Sequence, residues 1–157
     1  MTRGRLPVCL ARERLRDPGV IDALRPVVAR AMQEVGQPGL TPDIDWPRLC
    51  RLEDEGIAVL YTLRTDGALV GYCLQLVQRH VHYAEKVAFN DALWIDPPWR
   101  ARWGVRLVRA VEVAMRALGC ARIYWHGKPV NRLLPLLRRM GYADLESVLV
   151  KDLRGAA

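Results

Sequence analysis

Residues 94–119 read WIDPPWRARWGVRLVRAVEVAMRALG, and this stretch limits the fold more than any other. An apolar strand ends at Ile95, meets a Pro-Pro break and runs into an arginine-rich turn containing Gly104. A helix is expected to begin at once, with Val105, Val108, Val111, Met115 and Leu118 as its buried stripe and Gly119 as its stop. Strand, basic turn and helix N-terminus in that order form an anion site. Helix N-termini carry unpaired N–H groups and a positive dipole end, and a glycine lets a bulky anion approach the backbone. A phosphate-bearing ligand is expected there, held by Arg100, Arg102, Gly104, Val105 and Arg106. Trp99 and Trp103 flank the turn and offer stacking surfaces to an adenine or a nucleic-acid base.

The charge distribution points to the same segment. The 157 residues carry a net charge of +7. Between Asp96 and Met140 there are ten Lys or Arg and two acids, against fourteen and fifteen in the rest of the chain. Such a bias fits an anionic partner, whether a cofactor or a nucleic acid. In the plainer reading, Arg102, Arg106, Arg109 and Arg116 are simply the wet face of one helix.

No apolar run approaches the ~18 residues of a membrane span. The basic N-terminus lacks the apolar core of a secretory signal, so a soluble, cytoplasmic protein is expected. Cys9, Cys50, Cys73 and Cys120 are widely spaced and form no C-x-x-C pair. They read as buried small hydrophobes rather than disulfides or zinc ligands.

One domain spanning residues 1–157 suits this length. Asp17-Pro18 reads as an N-cap and first helical residue, and apolar residues from Val20 to Val35 recur at helical spacing. Pro26 lies inside that pattern and predicts a kink or a split. A shorter helix is expected from Trp46 to Glu55. Ile57–Leu63 and Ala68–Gln78 read as strands joined at Asp66-Gly67, a hairpin signal. After the polar connection RHVHYAEK, the run VAFNDALWI reads as a third strand. Beyond the long helix come a strand over Ala121–Trp125, a brief helix containing LLPLLRRM, and an alternating final strand over Ala143–Asp152. A first strand around Leu6–Leu10 completes a mixed α/β order.

That order, with the phosphate turn after the third clear strand, resembles the GNAT superfamily of N-acetyltransferases. The family's phosphate motif runs [R/Q]-x-x-G-x-[G/A] after an apolar strand. Here Ile95-Asp96-Pro97 matches the strand ending, Gly104 the first glycine and Val105 the residue after it. Arg106 stands where a second small residue is usual, and Ala101 where the motif's Arg or Gln begins. Downstream, Asn131 through Gly141-Tyr142 is similar to the family's N-x-x-A-x-x-L-Y-x-x-x-G-[F/Y], with Leu137 in the place of its tyrosine.

The resemblance implies an α+β fold around a mixed, mostly antiparallel sheet, acetyl-CoA as acyl donor without a metal, and an amine acceptor, either a small molecule or a protein. It also implies that Leu93, Trp94, Ile95 and Asn131 join the cofactor contacts, and that a homodimer is a common assembly.

Acetyl transfer to an amine requires a base, a polarised carbonyl and a route for a proton to the leaving thiolate. Asp91 occupies the family's usual carboxylate position, and strand alternation would put Phe89, Asp91, Leu93 and Ile95 on one face. A capping role beside Asn90 is the structural alternative. His82 is a second candidate base, and Tyr142, Tyr124 or water a candidate acid in place of the missing tyrosine. His80, Tyr83 and Glu85 in the polar connection are candidate substrate contacts, as against an ordinary surface hairpin. Two other functions fit the same residues: a CoA- or protein-binding module with little catalysis, and a basic nucleic-acid-binding protein.

Overall fold

The computed structural model describes residues 8–129 and 131–154. They fall into two compact units, one ending at His126 and one starting at Gly127. The first unit is a five-stranded sheet in the order β1 (Val8–Glu13), β2 (Ala58–Thr65), β3 (Ala68–Arg79), β4 (Lys86–Ile95), β5 (Arg122–Tyr124). Pairing is antiparallel through β4, and β4 pairs with β5 in parallel. This is the expected mixed, mostly antiparallel architecture. The first strand lies a few residues later than expected, and Leu6 falls outside the described residues.

Helices cover both faces. On one, Val20, Leu24, Val27, Val28 and Ala31 of α1 (Val20–Val35) share a cluster with Cys50 of α2 (Trp46–Asp54) and with Leu60, Tyr72, Leu74 and Trp94 of the sheet. On the other, Leu107, Val111 and Met115 of α3 (Pro97–Ala117) pack on Val59, Leu63, Cys73, Ala88 and Ile95. Each helix contributes one apolar stripe at helical spacing, which is why a sheet apolar on both sides needs both layers.

Several boundaries differ from expectation. Helix α1 starts at Val20, because Gly19 takes the left-handed conformation (φ 77°) and Asp17 organises the turn before it, its carboxylate accepting from Arg14 N at 3.2 Å. Pro26 neither splits nor ends α1. Its side is exposed, so water can serve the Asp22 carbonyl that loses its intrahelical donor. The hairpin turn is as read: Asp66 (φ 48°) and Gly67 (φ 79°) both take positive φ, matching the right-handed twist of the flanking strands. Cys50 and Cys73 are buried as expected, but Cys9 is exposed on the edge strand β1; all four are free thiols.

In the second unit, α4 (Leu133–Arg139) ends in a turn where Tyr142 N donates to Leu137 O at 3.1 Å and Gly141 takes φ 94°. The expected final strand over Ala143–Asp152 is absent. That segment joins no ladder, and Leu145, Val148, Leu149 and Val150 are exposed. Alternation describes a side-chain pattern, whereas a strand also needs a neighbour for its backbone groups.

One buried carboxylate ties the first unit's connections together. Both oxygens of Glu53 on α2 accept from Leu15 N, at 3.1 and 2.9 Å, with Arg14 beside them. Burial pushes this carboxyl above the usual range, against those two contacts. Glu53→Ala is expected to lower the unfolding free energy by about 1–3 kcal/mol, because it strands a buried N–H. Urea denaturation measures this, and an unchanged midpoint would refute the role.

Candidate active site

The sheet forks at the middle of β4. Ladder pairing with β5 covers only Val87–Phe89 against Arg122–Tyr124. Past Phe89 no strand lies beside β4 on that side among the described residues. The connection continues through one side chain: Asn90 Nδ2 donates to His126 O at 3.1 Å, and His126 N donates back to Asn90 Oδ1. Among the described residues, the last part of β4, Asp91–Ile95, therefore has a strand partner only in β3.

Asp91 sits at the apex of this fork because β4 bulges there. Leu74 pairs with Ala92 and Gln75 with Asn90, so Asp91 is the extra residue. A bulge reverses the alternation. Ala88 lies on the α3 face, as do Leu93 and Ile95, whereas Ala92 and Trp94 lie on the α1 face. Phe89 stacks on Tyr124 (4.8 Å between ring centroids) and does not share a face with Leu93 and Ile95. The expectation of one common face for Phe89, Asp91, Leu93 and Ile95 is corrected accordingly.

Asp91 is exposed, yet the protein around it still desolvates its carboxyl in part and pushes the pKa above the usual carboxylate range. The Asp91 charge in turn helps burial to push up the Tyr72 phenol on β3.

The arginine-rich segment is not a turn. Helix α3 starts at Pro97 with Asp96 as N-cap, so Arg100, Arg102, Trp103, Gly104, Val105 and Arg106 are all helical. Two prolines occupy the first two positions, where they have no N–H to lose and a preset φ. Trp99 N already donates to Asp96 O at 2.9 Å. The glycine-bearing backbone cradle expected for phosphate is therefore not formed, since N–H groups from Ala101 onward serve the helix.

What this segment presents is side chains. Arg102 and Arg106 are exposed and have no carboxylate partner among the described residues, with Arg106 stacked over Trp103 at 4.8 Å. Trp99 and Trp103 pack against the α3-side core rather than standing free as stacking platforms. Arg100 is committed elsewhere. Its Nε donates to Ile95 O at 2.6 Å, and its terminal nitrogens donate to both oxygens of Glu34 on α1. Trp94 is buried core, and its Nε1 donates to the same Glu34 at 3.0 Å. Arg30 joins this cluster through Asp96 at 2.9 Å. Arg100 thus fastens the end of β4 to α1.

The remaining candidates are dispersed. Strand β3 ends at Arg79, so His80 and His82 do not share a strand face. Residues 80–85 form a tight loop in which Ala84 N donates to His80 O and His80 N to Glu85 O. His82 and Tyr83 are exposed there, and the Tyr83 ring lies tilted against His80 with 4.6 Å between centroids. Glu85 lies 3.9 Å from Arg122. In the second unit, Asn131 Oδ1 accepts from Leu133 N at 3.0 Å, and Leu137 is buried.

Sequence reasoning missed Asn90, Tyr72 and Glu34 as site-forming residues. Asn90 and Asp91 had a legible signal: two polar residues in succession within an otherwise apolar strand cannot both point outward without a bulge. Tyr72 and Glu34 come to the site only through tertiary pairing.

A family model described as acetyltransferase (GNAT) family matches residues 21–142. Among solved structures, the chain is similar to an aminoglycoside acetyltransferase from an uncultured soil metagenomic sample in complex with sisomicin. That likeness has 14% identity and a TM-score of 0.72, and covers 96% of this chain and 97% of that one. It is also similar to glucosamine-6-phosphate N-acetyltransferase from Arabidopsis thaliana (11%, TM-score 0.70, 94% and 99% covered). A third is ribosomal-protein-alanine N-acetyltransferase from Brucella melitensis biovar Abortus 2308 (18%, TM-score 0.68, 92% and 99% covered). At these identities the likeness is one of fold. No curated protein matches the chain.

Proposed function

The chain belongs to the acetyltransferase (GNAT) family, and from that premise we propose that it moves an acetyl group from acetyl-CoA to a primary amine by direct transfer. The observation that carries this reading is the fork between β4 and β5 with Asp91 at its apex. When bound, acetyl-CoA supplies an acetyl group activated as a thioester. The edge of β4 at Leu93, Trp94 and Ile95 suits a chain of amides, because among the described residues no strand pairs with it on the side away from β3, although Arg100 already holds the Ile95 carbonyl. Arg102 and Arg106 hold phosphates through charge-assisted hydrogen bonds, in the absence of a backbone cradle.

Asp91 takes the proton from the acceptor amine, directly or through one water, and its raised pKa brings it nearer the working range of a general base. His82 is the alternative base. Leu137 fills the place of the family's acidic tyrosine with a buried apolar side chain, so the leaving thiolate is left to take its proton from solvent.

The neighbours are named for an aminoglycoside, a hexosamine phosphate and a ribosomal-protein alanine, which are chemically unlike amines. A thiol-release assay across those three classes and a polyamine, preceded by calorimetry with acetyl-CoA, tests the proposal. Binding followed by thiol release with at least one amine is expected. No binding at millimolar acetyl-CoA would sink it, and binding without turnover would favour a CoA-binding module.

One observation favours a second reading. Arg102, Arg106, Arg109 and Arg116 form an exposed stripe along α3 with no carboxylate partner among the described residues. A nucleic-acid partner there predicts affinity falling steeply with salt.

A further inference from the structure

Asn90 is one of five buried polar or charged side chains among the described residues, and it lies where the sheet opens. If the parallel ladder continued past Phe89, the backbone of β4 would take the N–H and C=O of the following strand. Instead the Asn90 carboxamide takes both groups of His126, one as acceptor and one as donor. A carboxamide offers both in the same plane at every pH, whereas a carboxyl of the same size does so only when protonated. Its use puts a side chain, rather than a backbone ladder, between β4 and the His126 backbone. On its other edge the same stretch of β4 bulges at Asp91. Bridge and bulge together fix where the fork starts and how wide it opens.

We propose that Asn90 is a positioning residue whose amide bridge to His126 sets the width of the β4–β5 fork for an extended, amide-bearing acyl donor. This rests on the acetyltransferase reading. Loss of the bridge lets the fork close or slacken, so donor binding weakens while the chemical step at saturation is little changed. Asp91 stays in place, because the bulge is defined by the β3 register.

The test uses the full chain with acetyl-CoA and two variants. Asn90→Ala removes the bridge. Asn90→Asp keeps the shape but can donate to the His126 carbonyl only while its carboxyl is protonated. For Asn90→Ala, calorimetry is expected to show a donor Kd about tenfold or more above wild type, the scale of one lost buried hydrogen bond and its stranded partner. The kcat at saturating donor should stay within about threefold.

For Asn90→Asp, the ratio of its Kd to the wild-type Kd should rise as pH is raised from 5 to 8. Taking the ratio at each pH cancels titration of the ligand's phosphates. A lowered Tm with wild-type donor Kd in both variants would make Asn90 merely structural and overturn the proposal. So would a pH-independent ratio for Asn90→Asp. If the wild type itself binds no acetyl-CoA, the acetyltransferase reading fails and this inference with it.

Discussion

Asp91→Asn is expected to lower kcat by about 10²–10⁴-fold, the range associated with losing a positioned general base, while the Kd for acetyl-CoA is unchanged. The pH dependence carries the sign of the assignment. Desolvation raises the Asp91 pKa, so the carboxylate persists only above a value higher than the ordinary carboxylate range. Wild-type kcat/KM should fall as pH drops through that raised pKa, and any turnover left in Asp91→Asn should lack this acidic limb.

Stability should move the other way. A carboxyl with a raised folded-state pKa binds more protons folded than unfolded, so its ionisation removes stability as pH rises from the unfolded pKa through the folded one. Asp91→Asn, with no charge to desolvate, should therefore match or exceed the wild-type Tm at neutral pH and lose that advantage in acid. A variant that is inactive but less stable at pH 7 would point to a structural carboxylate instead. Unchanged turnover would remove Asp91 from the base role and leave His82 to be tested.

The second large effect separates the arginines. Replacing Arg102 and Arg106 together by alanine is expected to weaken acetyl-CoA binding about 10- to 100-fold. Each charge-assisted hydrogen bond contributes roughly 1.5–3 kcal/mol when well placed, and exposure puts these two at the low end. The kcat at saturating donor should hold, and the salt dependence of binding should flatten.

Arg100→Ala is the contrast. Its guanidinium is held by Glu34 and the Ile95 carbonyl, so its loss should lower Tm by roughly 2–4 °C per kcal/mol and leave donor affinity nearly unchanged. Equal losses of affinity in both proteins would restore Arg100 to the anion site. Unchanged affinity in the double variant would take phosphate recognition away from the α3 side chains.

The fold was largely legible because periodicity is a local signal. The spacing of Val20, Leu24, Val27 and Ala31, the Asp66-Gly67 turn and the apolar runs on either side of it each identify an element from neighbouring residues. What failed did so for one kind of reason. The Pro-Pro and arginine run read as a turn because prolines usually break helices, but at the first two helical positions they begin one. The 143–152 segment read as a strand because alternation was visible and the absence of a partner was not.

The site was legible in part. The sequence by itself determined that a strand rich in apolar residues, interrupted by Asn90-Asp91, leads directly into a basic helix, and that the charge is concentrated there. Only the tertiary structure decided what those residues face. Pairing with β3 pushed Asp91 out as a bulge, and the early end of the β5 ladder left one edge of β4 open. The approach of α1 drew Arg100 away to Glu34, while Arg102 and Arg106 stayed exposed. The reason is physical: a residue's period and propensity are set by its neighbours in the chain, but its partner is set by which distant backbone or charge comes within hydrogen-bonding distance.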